Sequence, residues 1–366
     1  MRWVFFVRFG EFNNILDKYA FPTVDIKPIK WYNNIKVYYL TAGGASIACI
    51  GEIMDWWVIL LIALGVISAL LALGAWYTIT HAFLSARKKG VDYYRSLDSG
   101  RCHDPERCRA LIGKMLALDL ERVTIRSHDG LTLVGHYYEV KRGAPIEIFF
   151  HGFRGSWQRD FCGITEAAVE LSHNVLFVDQ RSHGESEGRF ITYGIKERYD
   201  ALAWIDYVLK RFGDECEIVL VGASMGGATV LSVSELYLPG NVKAIISDSA
   251  FTSPIDIITK VAGGGAFKNA LVRFGASCVA RVFCGFNIFE SSAVCAVKNA
   301  KTPIMLLHGV GDRLVPHEMA VKMADSNPSI RLESFEGADH IQPYLVDTER
   351  YKAAYKEFLE KCGVSV

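Results

Sequence analysis

Residues 217–227, EIVLVGASMGG, constrain this chain more than any other stretch. An apolar run of strand length passes through Gly222, Ala223, Ser224, Met225, Gly226 and Gly227 straight into a helical run, ATVLSVSEL. A strand that turns into a helix this abruptly needs glycines where the two elements would otherwise meet Cβ to backbone, and it leaves the serine on a strained elbow above the sheet. A packing turn with an incidental serine would use the same glycines. The surrounding pattern therefore has to decide between them.

Short apolar runs alternate with helical patterns through the rest of the chain, the signature of a mostly parallel sheet covered by helices. The runs are VTIRS, LTLVGHYYEV, IEIFFHG, NVLFVD, EIVLVG, VKAIISD, PIMLLHG and IRLESF. The first two are expected to pair antiparallel through the turn at His128, Asp129 and Gly130. Between NVLFVD and EIVLVG, the stretch GIKERYDALAWIDYVLKRFG has helical spacing and ends on a capping glycine, Gly213.

A serine hydroxyl needs a general base to become a nucleophile, and the base needs a carboxylate to fix its tautomer and stabilise the imidazolium. Asp312 leaves the end of PIMLLHG on a loop, and His340 follows IRLESF in the same way. Both reach the sheet edge where Ser224 stands, in the chain order serine, acid, histidine. The rivals are Asp248 for the acid, which ends VKAIISD, and His317 for the base, which opens a helix and reads better as a cap. Asp339 adjoins His340 too closely to orient its ring. His151, His183 and His308 read as loop-bracing residues. For the developing oxyanion, the expected donors are the backbone N–H of Met225, at the helix start, and that of Phe153, in the loop after IEIFFHG. Arg154, next to it, reads as solvent-exposed or as a substrate contact.

A second feature stands upstream. No Asp, Glu, Lys or Arg occurs between Asp55 and Arg87, and residues 56–79 are WWVILLIALGVISALLALGAWYTI. That length of apolar helix crosses a bilayer, with Trp56, Trp57, Trp76 and Tyr77 at its two interfaces. A buried core helix or a cleaved signal peptide fits less well, since the run is long and lacks both a basic n-region and a small-residue cleavage site. Arg87, Lys88, Lys89 and Arg95 follow it, so the positive-inside rule puts the downstream domain in the cytoplasm.

The resulting division is an N-terminal extension over 1–55, a transmembrane helix over 56–80, a basic helical linker over 81–120 and the globular domain over 121–366. The extension shows one strand-like stretch, IKVYYL, and Met54 is an alternative start that would place the anchor first. A chain beginning near Gly90 is expected to be soluble and active. Forty basic and forty acidic residues cancel, which gives no footprint for nucleic acid. Nine cysteines, several within apolar runs, read as unpaired thiols, and Cys102, His103 and Cys108 lack the second ligand pair of a zinc site. No metal or cofactor is expected.

The motifs HGFRGS, DQRSHGESEG, GASMGG, HGVGDRLVP and GADH together resemble the α/β-hydrolase superfamily, particularly the bacterial serine aminopeptidase S33-like or BEM46-like hydrolases with an N-terminal membrane helix. The resemblance runs from about Val123 to the C-terminus. It implies an α/β-hydrolase fold with an eight-stranded sheet, a small cap after the sixth strand, metal-independent hydrolysis and a triad falling on Ser224, Asp312 and His340. It also implies oxyanion amides at Phe153 and Met225. A cap over about 252–300 matches a stretch too long for an ordinary connection, and its Phe274, Phe283 and Phe286 are candidates to line a pocket for a small-molecule acyl substrate. Ester, thioester and amide hydrolysis share these motifs, so a peptidase and an inactive binding scaffold stand beside the esterase reading.

Overall fold

The computed structural model describes the strand backbones within residues 6–52, together with residues 56–85 and 102–366. Two compact units divide it, Met1–Gly74 and Ala75–Val366. In the first, β1 (Phe6–Arg8), β2 (Asp25–Tyr32), β3 (Ile35–Ala42) and β4 (Ala45–Glu52) form one sheet in the order β1-β4-β3-β2. The stretch IKVYYL thus lies in β3, between β2 and β4, in a sheet whose three other strands its apolar pattern did not announce. Helix α1 (Trp56–Thr78) follows and widens into a π-helical turn over Ile79–Phe83. Residues Trp57–Phe83 are apolar enough and long enough to cross a membrane, and the most apolar window of that stretch is not buried against protein.

The second unit is built on an eight-stranded sheet: β5 (Glu121–Arg126), β6 (Thr132–Tyr138), β7 (Ile146–Phe150), β8 (Asn174–Asp179), β9 (Ile218–Ala223), β10 (Val242–Asp248), β11 (Ile304–Gly309) and β12 (Arg331–Phe335). Their order is β12-β11-β10-β9-β7-β8-β6-β5. β5 pairs antiparallel with β6, and β6 with β8; every other neighbour is parallel. Strands β7, β8, β9 and β11 are buried at every position, which is why they read as unbroken apolar runs rather than as alternation. The main covering helices are α2 (Pro105–Leu116), α3 (Glu197–Phe212), α4 (Met225–Val233), α5 (Pro254–Ala262), α6 (Ala266–Val282), α7 (Glu318–Ser326) and α8 (Thr348–Lys361). Helices α5 and α6 lie between β10 and β11, in the stretch expected to form the cap.

Two boundaries differ from the sequence expectation. Phe83 is fully buried in the core shared with Tyr193, Phe251 and Phe286, and Leu84 bridges Phe190 antiparallel. Residues 83–85 are therefore part of the globular unit and not of a linker. Helix α2 also packs inward, through Cys108, Leu111, Ile112 and Met115, because its apolar residues recur at helical spacing. Residues 86–101, with the basic cluster used to assign orientation, lie outside the described residues. Of the cysteines whose side chains are described, none is paired; Cys108, Cys162 and Cys284 are buried, whereas Cys278 and Cys295 are exposed.

Candidate active site

Ser224 stands between β9 and α4 with φ 54° and ψ −112°, a conformation rarely adopted by a residue with a side chain. Its N–H is tied to the Asp248 carbonyl at 2.8 Å, which closes the elbow. A Cβ on Gly226 would collide with the Phe150 carbonyl, so the glycine permits α4 to pass directly against the end of β7. The side chain is thereby held at the carboxyl edge of the sheet.

The acid and histidine loops converge there. His340 Nε2 lies 2.9 Å from Ser224 Oγ, and His340 Nδ1 lies 2.7 Å from Asp312 Oδ2. With the proton on Nδ1, the ring donates to the carboxylate and accepts from the hydroxyl, the tautomer that this network assigns. Asp312 is itself anchored, accepting the N–H groups of Leu314 and Val315 on Oδ1 at 2.9 and 2.8 Å. Burial disfavours its charge, but hydrogen bonds from His308, His340 and the Val315 amide outweigh that and hold the carboxyl well below the usual carboxylate range.

The rival residues are engaged elsewhere. Asp248 accepts from the Ser249 hydroxyl at 2.8 Å and the Tyr351 hydroxyl at 3.2 Å, and burial pushes its carboxyl up to about 6. Asp339 accepts the Arg313 and His340 amides, and His317 meets Ser334 Oγ at 2.8 Å. Of the three loop-bracing histidines, His308 also backs the acid, with Nε2 3.4 Å from Asp312 Oδ2.

The loop after β7 is held from several sides. Asp160 Oδ2 accepts the Gly152 N–H at 2.8 Å, a role that no motif announced. His183 Nε2 accepts the Arg154 N–H at 2.9 Å while its Nδ1–H donates to the Arg181 carbonyl. The Phe153 ring stacks on Tyr193 at 5.2 Å, and the Arg154 guanidinium lies 5.1 Å from its centroid. Arg154 then donates to the Thr80 carbonyl at 2.6 Å, and the Tyr193 hydroxyl donates to the Ala82 carbonyl at 2.9 Å. Arg154 is solvent-exposed, as expected, and its bond to Thr80 ties the Phe153 loop to the last turn of the apolar stretch. The Met225 amide, at the first position of α4, has no intrahelical acceptor.

Burial, followed by the nearby His151, depresses the His183 imidazole to about 3. The ring must stay neutral to accept the Arg154 N–H, so the folded state resists a proton that the unfolded chain takes up near the ordinary value of about 6.5. Stability should fall as pH drops from about 6.5 toward 3, by up to about 1.4 kcal/mol per pH unit from this group. Thermal melts at pH 7 and pH 5 are expected to separate more for the parent than for His183→Gln. Equal separation would place the acid sensitivity elsewhere.

A cleft of about 640 Å³ opens beside His340, and its lining includes Lys260, Val261, Leu314, Ile341 and Leu345. None of the three expected pocket phenylalanines lines it. Phe286 is core, its ring edge-on to Phe83 at 5.5 Å. Phe274 and Phe283 face outward from α6 and its end. Among the described residues, His128, Asp129 and Asp200 come close enough to suggest a metal, but Arg181 already bonds both carboxylates at 2.6–3.1 Å.

The strand order, the elbow after the fifth strand of this sheet and the loops that follow the seventh and eighth define an α/β hydrolase. The chain has the α/β-hydrolase fold, and its residues 148–273 match the family model described as alpha/beta hydrolase fold. It is 28% identical over 266 residues to the alpha/beta hydrolase domain-containing protein WAV2 of Arabidopsis thaliana, covering 67% of this chain and 80% of that one. It is 26% identical over 260 residues to the uncharacterized protein YfhR of Salmonella typhimurium, covering 66% and 81%. Among solved structures, the Pyrococcus furiosus esterase Pf2001 superposes with a TM-score of 0.55 at 22% identity, over 68% of this chain and 94% of that one. Mouse alpha/beta hydrolase domain-containing protein 10 does so with 0.51 at 20%, over 66% and 99%.

Proposed function

We propose that this chain is a membrane-anchored serine hydrolase that cleaves carboxylic esters of small to medium acyl groups through an acyl-enzyme on Ser224. The observation that carries the reading is the unbroken line of hydrogen bonds from Ser224 Oγ through His340 to Asp312. His340 Nε2 takes the hydroxyl proton as Ser224 Oγ bonds to the acyl carbon, and the Asp312 carboxylate stabilises the imidazolium. The carbonyl oxygen becomes an oxyanion that the Phe153 and Met225 amides receive. Collapse expels the alcohol, which leaves with the proton from His340. Water then repeats the sequence, releasing the acid and restoring the serine. The apolar helix Trp57–Phe83 supports the anchoring part of the reading, and the catalytic domain is placed on the cytoplasmic side by the charge argument alone.

The apolar part of the cleft lining, with Val261, Leu314, Ile341 and Leu345, suits an acyl chain, and each buried methylene contributes about 0.8 kcal/mol. Efficiency on p-nitrophenyl esters is expected to rise from acetyl and pass through an optimum when the cleft is full. A fluorophosphonate probe should label the parent and not Ser224→Ala. Absence of labelling in the parent would favour an inactive scaffold. Parallel thioester and anilide series, with faster cleavage of the anilide, would favour a peptidase.

A further inference from the structure

Helix α6 turns its apolar side outward. Its buried contacts come from the small residues Ala276 and Ala280 and from Val279. On the opposite side, Phe267, Leu271, Phe274, Cys278 and Val282 follow one another at steps of four, three, four and four, which is a single stripe along a helix. The four large ones are between 56% and 79% exposed, and Phe283 and Val261 extend the patch at either end. Exposed apolar residues are ordinary when scattered, but a continuous row marks a surface that meets an apolar partner.

Two observations choose the partner. Helix α6 carries Lys268, Arg273 and Arg281 and no Asp or Glu, the composition of a helix that lies in the interface of an anionic bilayer. In a two-fold contact between copies, the same basic residues would face each other without acidic partners from that helix. The second observation is continuity with the apolar stretch. Just past α6, the buried Phe286 packs against Phe83, the last residue of the run Trp57–Phe83, so the end of the stripe is fixed beside the end of that run.

We propose that the outward stripe of α6 is a second bilayer contact, an interfacial helix seated among anionic lipids, through which lipid-soluble esters reach the cleft that Lys260 and Val261 of α5 border. The proposal rests on the reading of this chain as a membrane-anchored hydrolase. It gives Phe274 and Phe283 a partner in lipid in place of a pocket.

The test uses the full chain in vesicles of phosphatidylcholine and phosphatidylglycerol. An environment-sensitive fluorophore is attached through Leu271→Cys, with Cys278 and Cys295 replaced by serine, and a control label through Tyr237→Cys. Doxyl-labelled phospholipids are expected to quench the first label at least twofold and leave the control unchanged. A Leu271→Asp, Phe274→Asp double variant is expected to hydrolyse a vesicle-borne oleoyl ester about tenfold more slowly, with hydrolysis of p-nitrophenyl acetate unchanged. If the chain resists carbonate extraction yet the Leu271→Cys label is not quenched, the interfacial helix is wrong while the anchor stands. Crosslinking between copies through that position would assign the stripe to a dimer and overturn the proposal. Release of the full chain by carbonate would remove the anchor and the proposal with it.

Discussion

Ser224→Ala and His340→Ala are each expected to lower ester turnover by about four to six orders of magnitude, because nucleophile and base act as one unit. Both variants should fold, since the altered atoms lie at the sheet edge and the elbow is closed by the backbone bond from Ser224 N–H to Asp248. Asp312→Asn leaves a similar shape but turns one of its oxygens into an amide. The Leu314 and Val315 amides keep the oxygen, so the N–H₂ faces His340 Nδ1 and donates to it, and the ring loses the tautomer that lets Nε2 accept from the serine; a loss of about 10⁴ is expected. Asp248→Asn is expected to cost less than tenfold, because that carboxyl bonds Ser249 and Tyr351 and not the imidazole. Single-turnover rates with a p-nitrophenyl ester, alongside circular dichroism, would check the series. A larger loss at Asp248 than at Asp312 would reassign the acid.

What could be read in advance followed from local pattern. Each of the eight sheet strands of the globular unit coincides with one of the runs read from the sequence; the central parallel strands are the plainest, because strands buried on both faces must be apolar throughout and the turns between them need Gly, Asp or Pro. Ser224, Asp312 and His340 follow the same logic, since Ser224 directly follows a strand and the other two each sit one short loop beyond a strand end. The contacts that brace them were less legible. Asp160 reaches Gly152 across eight residues within a run, WQRD, that carries no motif, and the His183 to Arg154 bond joins loops 29 residues apart. Such pairings depend on how loops cross above the sheet, which periodicity does not encode. Helix α6 misled for a related reason. Its phenylalanines have helical spacing, but spacing alone does not say which face turns inward, and the small residues Ala276 and Ala280 took the core side.

The junction at Phe83 yields the other large effect. A fully buried phenylalanine among Tyr193, Phe251 and Phe286 leaves a cavity when truncated, so Phe83→Ala is expected to destabilise the globular unit by about 3–5 kcal/mol. The loss should reach the chemistry as well, because the backbone around Phe83 receives the loop-bracing contacts: Thr80 accepts from Arg154, Ala82 from Tyr193, and the Phe83 carbonyl from the Ile191 N–H. Arg154→Ala removes one of these ties and leaves the core filled. It is expected to lower kcat about tenfold with little change in KM, as for an amide that is less well placed for the oxyanion than for the substrate carbonyl. The junction also sets where the chain can be cut. A form beginning at Ala75 keeps the turn and the plug, and should match the full chain in melting temperature and ester turnover. A form beginning at Gly90 loses both and should melt at least 6 °C lower, given the shift of about 2–4 °C per kcal/mol for a domain of this size. Equal melting temperatures and equal turnover for the two forms would show that the end of the apolar stretch is dispensable, and that the hydrolase closes around its active site without it.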